Sequence, residues 1–200
     1  MVLVTRKAPD FTAAAVLGNG EIVDNFNLAE HIKGKYAVVF FWPMDFTFVC
    51  PSEIIAHDHR IQEFKNRGVE VIGVSIDSEF VHNAWRKTPQ DKGGIGEVQF
   101  PIVADVKHTI AQAYGIEHPE AGVALRASFF IDKDGIVRHE TVNDLPIGRN
   151  IDEMLRIIDA YQFHEEHGEV CPAQWTKGKE GMKANPDGVA SYLKQNADSL

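Results

Sequence analysis

Two cysteines, Cys50 and Cys171, are the residues of this chain whose type is best suited to chemistry. Cys50 follows an apolar run that ends at Pro43, and Pro51 comes directly after it, at the position that proline favours in the first turn of a helix. Because backbone N–H groups at a helix N-terminus stabilise an anion, this position favours a thiolate, which is the nucleophilic form of cysteine. The alternative interpretation is a buried cysteine that only packs in a core helix.

The elements that must position these thiols are predicted from the spacing of apolar residues. They are, in order, a buried strand over 36–42, a helix over 50–67 that Gly68 ends, a strand over 69–76, a helix over 78–87 capped by Asp77 or Ser78, a short strand over 100–104, a helix over 109–114, strands over 127–131 and 136–141 around the turn Asp132-Lys133-Asp134-Gly135, and a helix over 151–164. Strands that alternate with helices favour parallel pairing through right-handed crossovers. We therefore expect an α/β, thioredoxin-like fold with a central mixed sheet flanked by helices and a C-terminal extension.

The chain changes character after Gly168, where glycine, proline and asparagine follow in quick succession. We expect residues 1–165 to form one thioredoxin-like domain, and residues 166–200 to form an arm that carries Cys171 and a short helix over 189–196. Trp175 and Tyr192 are expected to be exposed on this arm. Exposed aromatic side chains favour packing against a neighbouring subunit.

Composition and charge exclude several classes of function. The net charge is −9 and the basic residues are scattered, so a nucleic-acid partner is not expected. No segment has the ~18 apolar residues of a membrane span, and the first residues lack the pattern of a secretion signal. We expect a cytoplasmic protein, and in a reducing compartment two cysteines are more often a redox or metal feature than a permanent disulfide.

The residues around Cys50 resemble the active site of a known family. Pro43, Thr47 and Cys50 form the pattern Pro-x-x-x-Thr-x-x-Cys of the peroxiredoxins. The longer string resembles the typical two-cysteine branch, which includes the alkyl hydroperoxide reductase C subunits; it reads Asp45-Phe46-Thr47-Phe48-Val49-Cys50-Pro51-Ser52-Glu53. Further similar motifs are Leu125-Arg126, Asp144-Leu145-Pro146-Ile147-Gly148-Arg149 and Glu169-Val170-Cys171-Pro172.

The resemblance implies a thiol-dependent peroxidase that reduces hydrogen peroxide and small organic hydroperoxides. Cys50 would be the peroxidatic thiol, Thr47 would hydrogen-bond the sulfur and the peroxide, and Pro43 would shield the pocket from water. Arg126 would hold the thiolate and the substrate oxygen, with support from two further charged residues, Glu53 and Arg149. Greater thiol acidity alone gives little rate because nucleophilicity falls with basicity, so we expect Arg126 and Thr47 to contribute more to the rate.

Peroxide attack leaves a sulfenic acid on Cys50, and a second thiol is the usual trap for it. Cys171 is the only candidate, and the sequence by itself leaves open whether it serves its own subunit. The resemblance implies that it comes from the partner subunit of an antiparallel homodimer, that dimers assemble into decamers, and that a thioredoxin or a flavoprotein disulfide reductase recycles the disulfide. No cofactor or metal is expected, because electrons travel through thiols.

Two further stretches resemble family features linked to over-oxidation: Gly93-Gly94-Ile95-Gly96 and Tyr192-Leu193. The family more often has phenylalanine after that tyrosine, and more often tyrosine where this chain has Trp42. A plain turn is the alternative interpretation of the glycine run.

Three alternative functions can be compared with the sequence. A metal site could use His164, His167 and Cys171, although structural zinc normally needs four ligands. A thioredoxin-type dithiol oxidoreductase needs a Cys-x-x-Cys motif, which the sequence lacks. A chaperone-like ring that binds unfolded clients could coexist with peroxidase activity. The other histidines, including His57, His59 and His82, are expected to be surface or packing residues.

Overall fold

The computed structural model describes residues 1–198 and 200 in full and residue 199 by its backbone. Contacts divide the chain into two compact units, Met1–Ile151 and Asp152–Leu200. The strands are β1 Thr12–Val16, β2 Ile22–Asn27, β3 Tyr36–Phe41, β4 Val69–Ser75, β5 Ile102–Ala104, β6 Arg126–Ile131 and β7 Val137–Asn143. The α-helices are α1 Leu28–His31, α2 Cys50–His59, α3 Ile61–Asn66, α4 Glu79–Lys87, α5 Thr109–Ala113, α6 Ile151–His167 and α7 Pro186–Asn196.

The first unit contains a seven-stranded sheet with the strand order β2-β1-β5-β4-β3-β6-β7. β3 pairs with β4 and β4 with β5 in parallel, whereas the remaining neighbours are antiparallel. Helices α1, α3 and α4 pack on the strands. The prediction of a mixed sheet flanked by helices in a thioredoxin-like fold is therefore confirmed, while the β1–β2 hairpin and α1 were not predicted.

The central strand β3 is buried on both faces of the sheet. Phe41 meets Tyr114 on one face, with ring centroids 5.1 Å apart, and Phe40 stacks on His57 on the other at 3.9 Å. Since both faces are covered, the strand has no polar alternation. This explains why 36–42 reads as a continuous apolar run, although the strand itself ends at Phe41.

The expectation of one continuous helix over 50–67 is wrong. Arg60 separates α2 from α3, with φ −105° and ψ 8°. Its backbone N–H donates to His57 O at 3.1 Å, three residues back, so the chain makes a tighter turn there before it resumes as α3. The next helix, α4, is capped by Ser78, whose side chain accepts from Val81 N at 3.3 Å.

The predicted hairpin at 132–135 is confirmed. Asp132 Oδ1 accepts from Asp134 N and Ile136 N, both at 2.9 Å, and Gly135 adopts φ 76°, where a side chain would be strained. The following strand runs over Val137–Asn143, two residues longer at its end than predicted. This strand, β7, forms one edge of the sheet.

The second unit contains most of α6 and all of α7, and both helices exceed their predicted bounds. α6 continues to His167, and α7 begins at Pro186 because Asn185 caps it, accepting from Gly188 N at 2.8 Å. The expectation that Trp175 is exposed is wrong. Its ring is buried beside Phe163, with centroids 5.0 Å apart, and its Nε1 donates to Lys179 O.

Within the described part of the chain, no helix is long and apolar enough to cross a membrane.

Candidate active site

Cys50 is the first residue of α2, and sheet register brings a distant arginine beside it. β6 runs antiparallel to β3, with Phe40 opposite Ser128. Two residues earlier on β6, Arg126 therefore lies level with the chain that leaves β3 toward Cys50. The two residues are 76 positions apart, yet Arg126 Nη1 is 3.2 Å from Cys50 Sγ.

The sulfur of Cys50 is fully buried and faces two hydrogen-bond donors. Thr47 Oγ1 lies 3.0 Å from it, in addition to the Arg126 guanidinium. Thr47 Oγ1 is also 2.7 Å from Met44 O, and a hydroxyl has one proton to donate. A thiolate is a stronger acceptor than a thiol, so deprotonation of Cys50 draws the Thr47 proton toward the sulfur.

Glu53 lies one helical turn after Cys50 and holds two arginines. Arg126 Nη1 donates to Glu53 Oε2 at 2.9 Å, and Arg149 donates from Nε to Oε1 at 2.8 Å and from Nη2 to Oε2 at 3.0 Å. Arg149 also reaches Ala127 O on β6. The paired hydrogen bonds from Arg149 thus fix the carboxylate of Glu53. That carboxylate in turn fixes the guanidinium of Arg126 beside the sulfur.

The electrostatics of the site keep Glu53 ionised and His57 neutral. Burial raises the pKa of Glu53, but hydrogen bonds and charge from Arg149 outweigh burial and hold that pKa below its usual value. Burial, with the charge of Arg149, lowers the pKa of His57 to about 3. His57 Nδ1 lies 2.8 Å from Glu53 O, which orients the neutral ring. Within this network Arg126 is the positive group that contacts the sulfur, while His57 adds no charge.

Pro43 is buried where the chain leaves β3. Trp42, the residue before it, belongs to a polar cluster that was not predicted from the sequence. Trp42 Nε1 donates to Asp45 Oδ1 at 2.8 Å, and His82 Nδ1 lies 2.6 Å from Asp45 Oδ2. His82 is more than a packing residue, because its fully buried ring makes a hydrogen bond with the side chain of Asp45. An acidic residue inside an otherwise apolar segment was the available signal for Asp45.

Cys171 belongs to the second unit, where its side chain is held by α6. It is half-buried, and its Sγ donates to Ala160 O at 3.3 Å. Burial raises the pKa of the Cys171 thiol, and the charge of Arg156 opposes this rise. Val170 and Met182 exchange backbone hydrogen bonds at 2.9 Å across the arm. In this conformation the raised pKa therefore disfavours the thiolate, and the hydrogen bond to Ala160 O orients the thiol.

The three residues considered for a metal do not converge. His164 Nδ1 lies 2.8 Å from Glu169 O, His167 packs on Phe163, and Cys171 bonds a backbone carbonyl. Among the described residues, no group of three or more His, Cys, Asp or Glu could hold a metal ion.

The glycine run over 93–96 forms a tight turn beside α4. Trp85 Nε1 donates to Gly93 O at 2.8 Å, and a Cβ on Gly94 would collide with Thr88 O. Tyr192 is half-buried and Leu193 is exposed on α7.

A buried thiol at a helix N-terminus, facing a guanidinium and a hydroxyl on a thioredoxin-like sheet, defines a protein of cysteine-based redox chemistry. Comparison with known proteins makes the class specific. Residues 4–140 match the model of the AhpC/TSA family, and residues 160–195 match the C-terminal domain of 1-Cys peroxiredoxin. The chain belongs to the AhpC/TSA family, the peroxiredoxins.

Individual relatives match over nearly the whole chain. Alkyl hydroperoxide reductase C of Buchnera aphidicola subsp. Schizaphis graminum is 58% identical over 195 residues, covering 98% of each chain. Alkyl hydroperoxide reductase C of Helicobacter pylori (strain ATCC 700392 / 26695) is 57% identical over 199 residues and is covered in full. The crystal structure of reduced 2-Cys peroxiredoxin from Plasmodium vivax aligns with a TM-score of 0.93 at 48% identity, over 97% of this chain and all of that one.

Proposed function

We propose that this peroxiredoxin, a thiol-dependent peroxidase, reduces hydrogen peroxide and small organic hydroperoxides through Cys50. The carrying observation is the Cys50 sulfur, which is buried and lies within 3.0 Å of Thr47 Oγ1 and 3.2 Å of Arg126 Nη1. In the first step the thiolate attacks one peroxide oxygen. An S–O bond forms, the O–O bond breaks, and the leaving oxygen takes a proton to become water or an alcohol. Cys50 is then a sulfenic acid.

In this proposal Arg126 and Thr47 stabilise the charge that moves from sulfur to the departing oxygen. Donors fixed before the reaction in a buried site stabilise such charge without reorganising. Glu53 and Arg149 support the reaction indirectly, since they hold Arg126 in place. Pro43, buried beside the loop, keeps water away from the sulfur. These roles make peroxide positioning, more than thiol acidity, the source of the rate.

The second step of the proposed cycle joins Cys50 to Cys171. The Cys171 thiolate attacks the sulfenic sulfur, a disulfide forms, and the displaced hydroxide leaves as water. Both thiols are free in this structure, with Cys50 in the first turn of α2 and Cys171 bonded to Ala160. Disulfide geometry needs Cα atoms within ~7 Å, so the first turn of α2 and the Cys171 arm both unfold locally before the bond forms.

We propose that Cys171 comes from the partner subunit of an antiparallel homodimer. One support is β7, which lies at the edge of the sheet and has an exposed Val142, 46% accessible. Dimers would assemble into decamers through a second surface, where the exposed aromatic side chains of Phe46 and Phe80 are 52% and 68% accessible.

The disulfide is recycled, in this proposal, by a thioredoxin or by a flavoprotein disulfide reductase. The two reductants are distinguished by measuring peroxide turnover with each one in a coupled assay, in which the oxidation of NADPH reports the rate. The cytoplasm is the proposed location, because its reducing thiols return both cysteines to the free state.

The deciding experiment is intact mass, measured under denaturing and non-reducing conditions, after one equivalent of hydrogen peroxide. We expect a covalent dimer from the wild type and a monomer carrying one added oxygen from Cys171→Ser. A disulfide within one monomer would contradict the partner-subunit assignment while leaving the peroxidase intact. Unreacted thiols in both proteins would contradict the assignment of Cys50 as the peroxidatic thiol.

A further inference from the structure

The loop that carries Thr47 is anchored by the buried side chain of Asp45. Asp45 is 4% exposed, and its Oδ1 accepts from Trp42 Nε1 at 2.8 Å and lies 3.1 Å from Ser75 Oγ. Its backbone N–H donates to Asp77 Oδ2 at 2.7 Å, just beyond β4. A single buried residue thus ties the loop to the end of the central sheet.

The turn directly after Asp45 is strained. Phe46 has φ 54°, in the left-handed region that a bulky aromatic residue rarely adopts. Such a conformation persists only where the surroundings enforce it. Phe46 stands between Asp45 and Thr47, so the conformation of this one residue determines where the Thr47 hydroxyl points. At the observed angle the hydroxyl lies 3.0 Å from Cys50 Sγ.

The other half of the anchor is His82 on α4. Its ring is fully buried, with Nδ1 2.6 Å from Asp45 Oδ2 and Nε2 3.2 Å from Val103 O on β5. A carbonyl oxygen only accepts, so Nε2 carries a proton. One proton lies between Nδ1 and Asp45 Oδ2 in a short hydrogen bond whose two side chains are fully buried. Loss of either partner leaves the other as a buried polar group without its hydrogen bond.

We propose that His82 and Asp45 are positioning residues for the peroxidase reaction. Their hydrogen bond fixes the left-handed turn at Phe46 and thereby holds the Thr47 hydroxyl against the Cys50 sulfur. Neither residue touches the sulfur, and the pair acts through Thr47. This inference depends on the proposed function, which assigns the reaction to Cys50 and a role to Thr47.

The test is a double-mutant cycle on the rate constant of the reaction with hydrogen peroxide. His82→Gln is measured in two backgrounds, the wild type and Thr47→Val. In the wild-type background we expect a loss of about tenfold to a hundredfold, the effect of misplacing one hydrogen bond to a charged group. In the Thr47→Val background, which has no hydroxyl to misplace, we expect a loss of less than about twofold.

The matched control is His108→Gln. His108 forms the same kind of pair, with Nδ1 2.8 Å from Glu117 Oε1, but it lies outside the loop that carries Thr47. We expect the peroxide rate of this variant to equal that of the wild type. Equal losses from His82→Gln in both backgrounds, or no loss in either, would overturn the proposal.

Two measurements keep the test decisive if His82→Gln does not fold. Asp45→Asn replaces it in the same cycle with the same expectations. In the wild type, NMR of ¹⁵N-labelled histidine is expected to show a ring proton of His82 in a strong hydrogen bond, its signal assigned by its change in Asp45→Asn. The absence of such a hydrogen-bonded proton would overturn the contact between His82 and Asp45. A wild type that is inert to peroxide contradicts the proposed function, whereas a reactive wild type with an equally reactive His82→Gln contradicts this inference alone.

Discussion

Replacing Arg126 with methionine removes the one guanidinium that contacts the Cys50 sulfur. Arg126 Nη1 is shared between Cys50 Sγ at 3.2 Å and Glu53 Oε2 at 2.9 Å, and its side chain is 5% exposed. Methionine fills a similar volume without the charge. Glu53 keeps its hydrogen bonds from Arg149 N, Nε and Nη2, so the substitution leaves no unpaired carboxylate in the site.

The expected loss of rate follows from the two charged contacts that Arg126 makes in the proposed transition state. One is to the sulfur and the other is to the oxygen that accepts charge. A hydrogen bond to a charged group contributes ~1.5–3 kcal/mol, so two of them amount to about 3–6 kcal/mol, or a rate loss of ~10²–10⁴-fold. This exceeds what thiol acidity alone supplies, because a more acidic thiol is also a weaker nucleophile.

The assay is stopped-flow measurement of the second-order rate constant for hydrogen peroxide, beside the rate of Cys50 alkylation by iodoacetamide. Arg126→Met is expected to slow the peroxide reaction by the full factor and alkylation by much less, because iodoacetamide has no O–O bond to polarise. The control is Arg156→Met, whose arginine lies in the second unit and pairs with Glu153. A peroxide rate for Arg126→Met within threefold of the wild type would refute the reasoning.

Three further predictions follow from the same geometry. Thr47→Val is expected to lower the peroxide rate constant by ~10–100-fold, since it loses one donor at 3.0 Å from the sulfur. Thr47→Ser keeps that donor, and its rate constant is expected to stay within about fivefold of the wild type. Stopped-flow rates of the two variants test this, and equal losses would contradict it. The pKa of Glu53 is held below its usual value, so its ion pairs stabilise the fold at neutral pH and are lost as pH falls through the depressed pKa. Urea midpoints measured from pH 7 to pH 3 are therefore expected to fall more steeply for the wild type than for Glu53→Gln, and parallel curves would contradict this. Burial raises the pKa of the Cys171 thiol, and the charge of Arg156 opposes the rise. In a Cys50→Ser background, Arg156→Met is therefore expected to move the pH midpoint of Cys171 alkylation to a higher value. An unchanged or lower midpoint would show that the arginine charge does not reach the sulfur.

The sequence predicts the parts of the fold whose signals are local. β3 is a continuous apolar strand and β4 is rich in valine and isoleucine, while the turn over 132–135 has the Asp-Lys-Asp-Gly pattern that its hydrogen bonds require. β1 and β2 lack such signals. β1 reads Thr-Ala-Ala-Ala-Val, in which alanine favours helix, and β2 has two exposed polar residues in its middle, Asp24 and Asn25. β1 and β2 become strands because they pair with each other, and β1 also pairs with β5.

Contacts between distant residues account for the other differences. Trp175 looks exposed in a glycine-rich arm, but its burial depends on Phe163, which lies on the preceding helix. Asp45 and His82 are 37 positions apart, and no local pattern joins a loop acid to a helix histidine. The break at Arg60 is equally invisible, because the residues around it are ordinary helix formers.

The candidate site divides in the same way. Thr47, Cys50 and Glu53 lie within one segment, and the strand-to-helix transition that precedes them is readable from the sequence. Arg126 and Arg149 were named from the resemblance to the peroxiredoxins, and only the pairing of β6 with β3 explains why Arg126 reaches the sulfur. The catalytic role of Arg126 stays a prediction until Arg126→Met is measured.

The most direct test of the central claim compares the two cysteines in single turnover. Each variant, Cys171→Ser or Cys50→Ser, is fully reduced and mixed in a separate experiment with substoichiometric hydrogen peroxide. The consumption of peroxide is measured by stopped flow. We predict that Cys171→Ser consumes peroxide at the wild-type rate and that Cys50→Ser, left with a half-buried thiol of raised pKa, is slower by ~10³-fold or more. Rapid consumption by Cys50→Ser, or none by Cys171→Ser, would contradict the assignment of Cys50 as the thiol that attacks peroxide.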